Sequence, residues 1–193
     1  ILLCCLATWL ASGCGGPLLR ADGIASGAGF VKDAVQGTRF THIVYIAEGP
    51  NPQSPVWVYI EGDGVPWIGE TIPSVDPTPR TLVALSLMLR GPRPAVFLGR
   101  PCYFGMAAQA PCEPVWWTHR RFSEDVVASM VAAYRKLAAD RGWAGRPVNL
   151  VGFSGGGTLA TLMAARLAGA CALITVASPL DIDEWAASRG YSP

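Results

Sequence analysis

Val148-Asn149-Leu150-Val151-Gly152-Phe153-Ser154-Gly155-Gly156-Gly157 joins an apolar run to a small-residue segment through Gly-X-Ser-X-Gly. Val148, Leu150 and Val151 read as a buried parallel strand, and Thr158 to Leu167 alternates small and apolar residues that can pack closely on a sheet. A strand that reverses sharply into a helix leaves no room for a side chain two positions either side of the turn. That accounts for Gly152 and Gly156 and leaves the Ser154 hydroxyl exposed as a nucleophile. The competing reading is an ordinary glycine-rich strand-to-helix turn. A dinucleotide loop fits badly, because G-X-G-X-X-G spacing is absent and serine holds the second glycine's place.

Outward from this stretch, strands and helices alternate. Ser123-Glu124-Asp125 reads as a helix start, with an N-cap hydroxyl and two acids where the helix dipole favours negative charge. Val126, Val127, Met130, Val131, Tyr134 and Leu137 recur at helical spacing until Gly142. Phe40 to Ile46 and Val56 to Ile60 read as strands parted by Gly49-Pro50-Asn51-Pro52, Thr81 to Leu89 as a short helix, and Ala95 to Leu98 as another strand. Ala172 to Ala177 follows as an apolar strand, Ser178 to Asp183 lies at its carboxyl end, and a last helix begins at Trp185. The alternation predicts an α/β fold: a mostly parallel twisted sheet with helices on both faces.

Two loops stand out. Glu61-Gly62-Asp63-Gly64 follows a strand directly, and its glycines let the backbone approach a ligand and turn amides toward an anion; a simple turn is the plainer reading. Residues 99 to 121 form a long loop, and long loops in compact domains are usually functional. Tyr103, Phe104, Trp116 and Trp117 supply apolar faces either for the wall of an acyl or aromatic substrate pocket or for plugging the loop onto the core.

The 193 residues, 51% hydrophobic and 15% charged, suffice for one globular domain. A net charge of +1 with no basic cluster beyond Arg120-Arg121 gives no nucleic-acid surface. Ile1 to Leu10 is apolar but shorter than the about 20 residues of a membrane span, and it reads as the remnant of a signal peptide. Leu10-Ala11-Ser12-Gly13-Cys14 resembles the lipobox of bacterial lipoproteins, with alanine where leucine is usual; the resemblance implies lipidation at Cys14 and a membrane-anchored cell-envelope protein, with ordinary secretion as the other outcome. Residues 15–37, rich in Gly, Ala and Ser, read as a flexible tether, and 38–193 as the folded domain. In an oxidising compartment Cys102 and Cys112 can bridge their loop, while Cys171 reads as a buried thiol. Cys102, Cys112 and His119 lack zinc-ligand spacing, and no cofactor or metal is expected.

Val-Tyr-Ile-Glu-Gly-Asp-Gly (58–64), Gly-Arg-Pro-Cys-Tyr-Phe-Gly (99–105) and Gly-Phe-Ser-Gly-Gly-Gly (152–157) together resemble the α/β-hydrolase superfamily, and within it a group of exported bacterial hydrolases. The resemblance runs from about Thr38 to the carboxyl end. It implies Ser154 as nucleophile, with the amides of Gly155 and Asp63 as oxyanion donors and Gly62 and Gly64 shaping the loop. It also implies a small ester or acyl substrate. Triads of this fold run Ser, then Asp or Glu, then His, yet His42 and His119 both precede Ser154. The expectation is therefore a serine hydrolase whose general base lies beyond residue 193, whose acid is Asp181, Asp183 or a later residue, and whose 193-residue stretch alone is inactive. With the last strands of the fold absent, the sixth strand is expected to be a bare, aggregation-prone edge. The alternative function is a non-catalytic lipoprotein binding module on the same scaffold.

Overall fold

The structure is a computed structural model describing residues 16–189; the stretch read from sequence as a signal-peptide remnant, 1–14 with Cys14, lies outside the described residues. The elements are α1 (Pro17–Gly27), β1 (Val31–Gln36), β2 (Thr41–Ala47), β3 (Val56–Ile60), β4 (Trp67–Ile68), β5 (Ile72–Pro73), α2 (Val83–Met88), β6 (Ala95–Leu98), α3 (Glu124–Asp140), β7 (Val148–Phe153), α4 (Gly155–Ala164), β8 (Ala170–Val176) and α5 (Ile182–Arg189). Six strands form one sheet in the order β1-β2-β6-β3-β7-β8, and β4 and β5 form a separate hairpin. The β1–β2 and β2–β6 pairs are antiparallel; β3–β6, β3–β7 and β7–β8 are parallel.

Register shows why both faces are covered. Tyr45, Phe97 and Tyr59 stand side by side across β2, β6 and β3 and so share a face. The Tyr45 hydroxyl donates to Asp22 of α1 at 2.7 Å, and the Tyr59 hydroxyl abuts Gly91 just past α2. His42 of β2 points the other way, with its Nε2 2.9 Å from the Ser129 hydroxyl of α3, which packs beside α4. The apolar side chains of β2, β3, β6 and β7 are therefore buried between two helical layers. At about 25 cal/mol per Å², that burial is the main stabilising contribution.

Three expectations are corrected. The stretch read as a tether, 15–37, is folded over its described residues 16–37: α1 buries Ala21 and Ala25 against the sheet, and β1 pairs with β2 along its whole length. Alanines let α1 lie close, and the Tyr45–Asp22 bond fixes it. Ser123 precedes α3 in extended conformation, but its hydroxyl makes no capping bond and is buried without a partner. Cys171 is exposed rather than buried, because β8 is an edge strand paired only with β7. Leu173, Ile174 and Val176 of the same strand remain 41%, 45% and 38% exposed, so an apolar run here does not mark an interior strand.

Candidate active site

β7 ends at Phe153, and α4 begins at Gly155, leaving Ser154 to make the reversal alone. Its φ of 51° and ψ of −130° lie where a residue with a Cβ is strained, so the surrounding contacts must hold it. They do: the Ser154 amide donates to Val176 O on β8 at 2.8 Å, and the Gly157 amide donates to Ser154 O at 2.9 Å. A side chain at Gly152 would collide with the Gly156 backbone, and one at Gly156 would collide with the carbonyls of Ile60 and Glu61. The strand, the turn and the end of β3 are thus packed backbone to backbone, which is the steric demand inferred from the sequence. Ser154 is half-buried and borders an open cleft of about 320 Å³ with Gly62, Asp63, Gly64, Pro79 and Thr81.

The Glu61–Gly64 loop meets the elbow directly. A Cβ built on Gly62 would lie 3.2 Å from the Ser154 Cβ, and one on Gly155 would collide with the Asp63 carboxylate. Glu61 fixes one side of the loop, its Oε1 accepting from the Gly62 amide at 3.2 Å and its Oε2 from the Ala84 amide of α2 at 3.0 Å. Burial pushes the Glu61 carboxyl up, against the amide hydrogen bonds that favour its charged form. Asp63 fixes the other side. Its Oδ1 pairs with Arg100 Nη1, its Oδ2 lies 2.8 Å from Arg121 Nη1, and its carbonyl accepts from the Tyr103 hydroxyl at 2.9 Å. Burial alone would raise the Asp63 carboxyl; the two guanidiniums outweigh it and hold the group below the usual carboxylate range. Among the described residues, the amides of Asp63 and Gly155 have no hydrogen-bond acceptor in the protein, and α4 has no side-chain cap. Both amides belong to segments in contact at the mouth of the cleft, a placement suited to stabilising negative charge.

The other sequence-derived residues divide. Tyr103, Phe104, Trp116 and Trp117 are all at most 4% exposed and belong to the core, so they are not the wall of an open pocket. Phe104 packs edge-on against Tyr45 and Phe97, and Trp116 against Phe40, because a loop this apolar lowers its free energy by folding inward. Cys102 and Cys112 form a disulfide with Cα atoms 5.5 Å apart. Asp181 is exposed and caps α5, its Oδ1 accepting from the Glu184 amide at 2.9 Å. His42 is fully buried, with Nδ1 2.9 Å from Gly99 O and Nε2 2.9 Å from the Ser129 hydroxyl, and burial lowers its pKa to about 4. His119 stacks edge-on against Trp67.

The sequence reading overlooked Arg100 and Arg121 as partners of Asp63. The available signal was a cation, Arg100, placed in an apolar segment directly after β6, on the same end of the sheet as Ser154. Their positions 37 and 58 residues from Asp63 give no local periodicity to detect.

No protein-family model matches the sequence, and no curated protein matches it. Solved structures do. The chain is similar to the Pyrococcus furiosus esterase Pf2001, with 11% identity, a TM-score of 0.54, and coverage of 84% of this chain and 57% of that one. A candidate lipase, lip1, from Acinetobacter baumannii shares 15% identity, with a TM-score of 0.51 and coverage of 86% and 47%. The acylaminoacyl peptidase of Pyrococcus horikoshii shares 11%, with a TM-score of 0.50 and coverage of 77% and 23%. The chain therefore spans about half the length of the first two structures, and it has the α/β-hydrolase fold.

Proposed function

We propose that this chain carries the nucleophile and oxyanion site of a serine hydrolase acting on carboxylic esters. The supporting observation is the strained, half-buried Ser154 at the strand-to-helix reversal, with the uncommitted amides of Gly155 and Asp63 beside it. The esterase among the similar folds fits the same chemistry.

In this reading Ser154 Oγ attacks the ester carbonyl, and the oxygen that becomes negative is held by the Gly155 and Asp63 amides. The Ser154 proton passes to a histidine and from it to the leaving alcohol. Both nitrogens of His42 are committed elsewhere, and by the chain order of such triads the reading assigns that role to a histidine that follows Ser154 in sequence, oriented by an acid. Export with a lipid on Cys14 is part of the proposal. Its support is the apolar amino-terminal run and the Cys102–Cys112 disulfide, since disulfides persist in oxidising compartments.

Hydrolysis of short-chain p-nitrophenyl esters by the complete natural protein tests the reading. Turnover that falls at least about 1000-fold in Ser154→Ala supports it. A correctly folded protein that hydrolyses no ester and binds the ester unchanged supports a binding module instead.

A further inference from the structure

Asp63 presents a physical conflict. Its amide is well placed to hold an oxyanion, yet its carboxylate lies against Gly155, within the same small region, where an uncompensated negative charge would repel that oxyanion. Two arginines resolve the conflict. The Arg100 and Arg121 side chains are 1% and 5% exposed, and each takes one oxygen of the carboxylate. Two guanidiniums thus face the one Asp63 carboxylate.

Burying an arginine costs free energy unless it is paired, and buried ion pairs are weak evidence for stability in themselves. The second arginine therefore calls for another explanation. Arg121 is further held by Nε donating to Thr118 O at 2.6 Å, while Arg100 lies over the Tyr103 ring with its Cζ 5.0 Å from the centroid. Tyr103 in turn donates to the Asp63 carbonyl. The carbonyl and both carboxylate oxygens of Asp63 are thus held from the long loop, and with them the Cα to which the Asp63 amide is attached. Glu61, which also faces Arg100, has its oxygens occupied by the Gly62 and Ala84 amides, and burial favours its neutral form.

We propose that Arg100, Arg121 and Tyr103 are positioning residues for the oxyanion site, acting through Asp63 to aim its amide and to cancel its carboxylate beside Gly155. This rests on Ser154 being the nucleophile. The residues touch Asp63 rather than substrate, so their effect is exerted on the transition state and not on ester binding.

The test uses the complete natural protein and its Arg121→Met, Arg121→Lys, Arg100→Lys and Tyr103→Phe variants. It measures kcat and KM for a p-nitrophenyl ester, the rate of Ser154 labelling by a fluorophosphonate, and thermal melts. In Arg121→Met, kcat and the labelling rate are expected to fall about 10- to 100-fold with KM within about twofold of wild type. Arg121→Lys recovers part of that loss, and Tyr103→Phe loses about threefold to tenfold. If Arg121→Met fails to fold, the Lys and Phe variants decide. Wild-type kcat and labelling in folded Arg121→Lys and Tyr103→Phe, or a change in KM alone, overturns the inference while leaving Ser154 as nucleophile. Absence of labelling in the wild type overturns the reading beneath it, and the inference with it.

Discussion

The Asp63 carboxylate occupies the space that a side chain on Gly155 would need. The residue after Ser154 and the loop facing it are therefore one steric unit. Gly155→Ala forces Asp63 away from its arginines, and overpacking of this kind costs about 1 to 3 kcal/mol. The expected result is a lower melting temperature and a fall in kcat. Because the clash is pairwise, the two losses should not add: Asp63→Gly, which by itself strands Arg100 and Arg121, should cost less in the Gly155→Ala background than in the wild type, as a double-mutant cycle by denaturant unfolding would measure. Strict additivity would contradict the shared geometry.

His42 should make the fold acid-sensitive. It is buried and neutral, with a pKa of about 4 in place of 6.5. The unfolded chain takes up a proton on this residue between pH 6.5 and 4 while the folded chain does not, so stability declines as pH falls through that window. Below about pH 4 the loss is complete, on the order of 3 kcal/mol. Asp63, held below the usual carboxylate range, adds its own loss only at lower pH. Urea unfolding at several pH values should show a shallower slope for His42→Asn than for wild type; equal slopes would contradict the assignment.

Removing the Cys102–Cys112 bridge should loosen the segment that carries Arg100 and Tyr103. The double Cys→Ser variant is expected to lose about 2 to 4 kcal/mol by denaturant unfolding. Its ester turnover should also fall, at a temperature where the protein remains folded. Full turnover in the folded double variant would separate the bridge from the site.

The exposed apolar edge at β8 should drive self-association of the 193-residue chain. Light scattering is expected to show concentration-dependent oligomers that Ile174→Lys reduces. A monomer at all concentrations would contradict this.

The elbow was legible because its constraint is local: Gly152, Ser154 and Gly156 encode a steric requirement within a few residues. The central strands were legible from their apolar runs, and the Glu61–Gly64 loop from its place after β3. What escaped detection depended on distant partners. β1 exposes every residue but Val35, so it carries no alternation, and α1 is built on buried alanines rather than large apolar residues. Trp116 and Trp117 look alike as core and as pocket wall until the loop's path is known. Arg121 acquires its role only through Asp63, far away in the chain.

The most direct test of the central claim is to treat the complete natural protein with a fluorophosphonate ester mimic and locate the adduct by peptide mass spectrometry. One adduct on Ser154, absent from Ser154→Ala and from heat-denatured protein, is the predicted result. An adduct on another residue, or none on the folded protein, would contradict the assignment of Ser154 as the nucleophile.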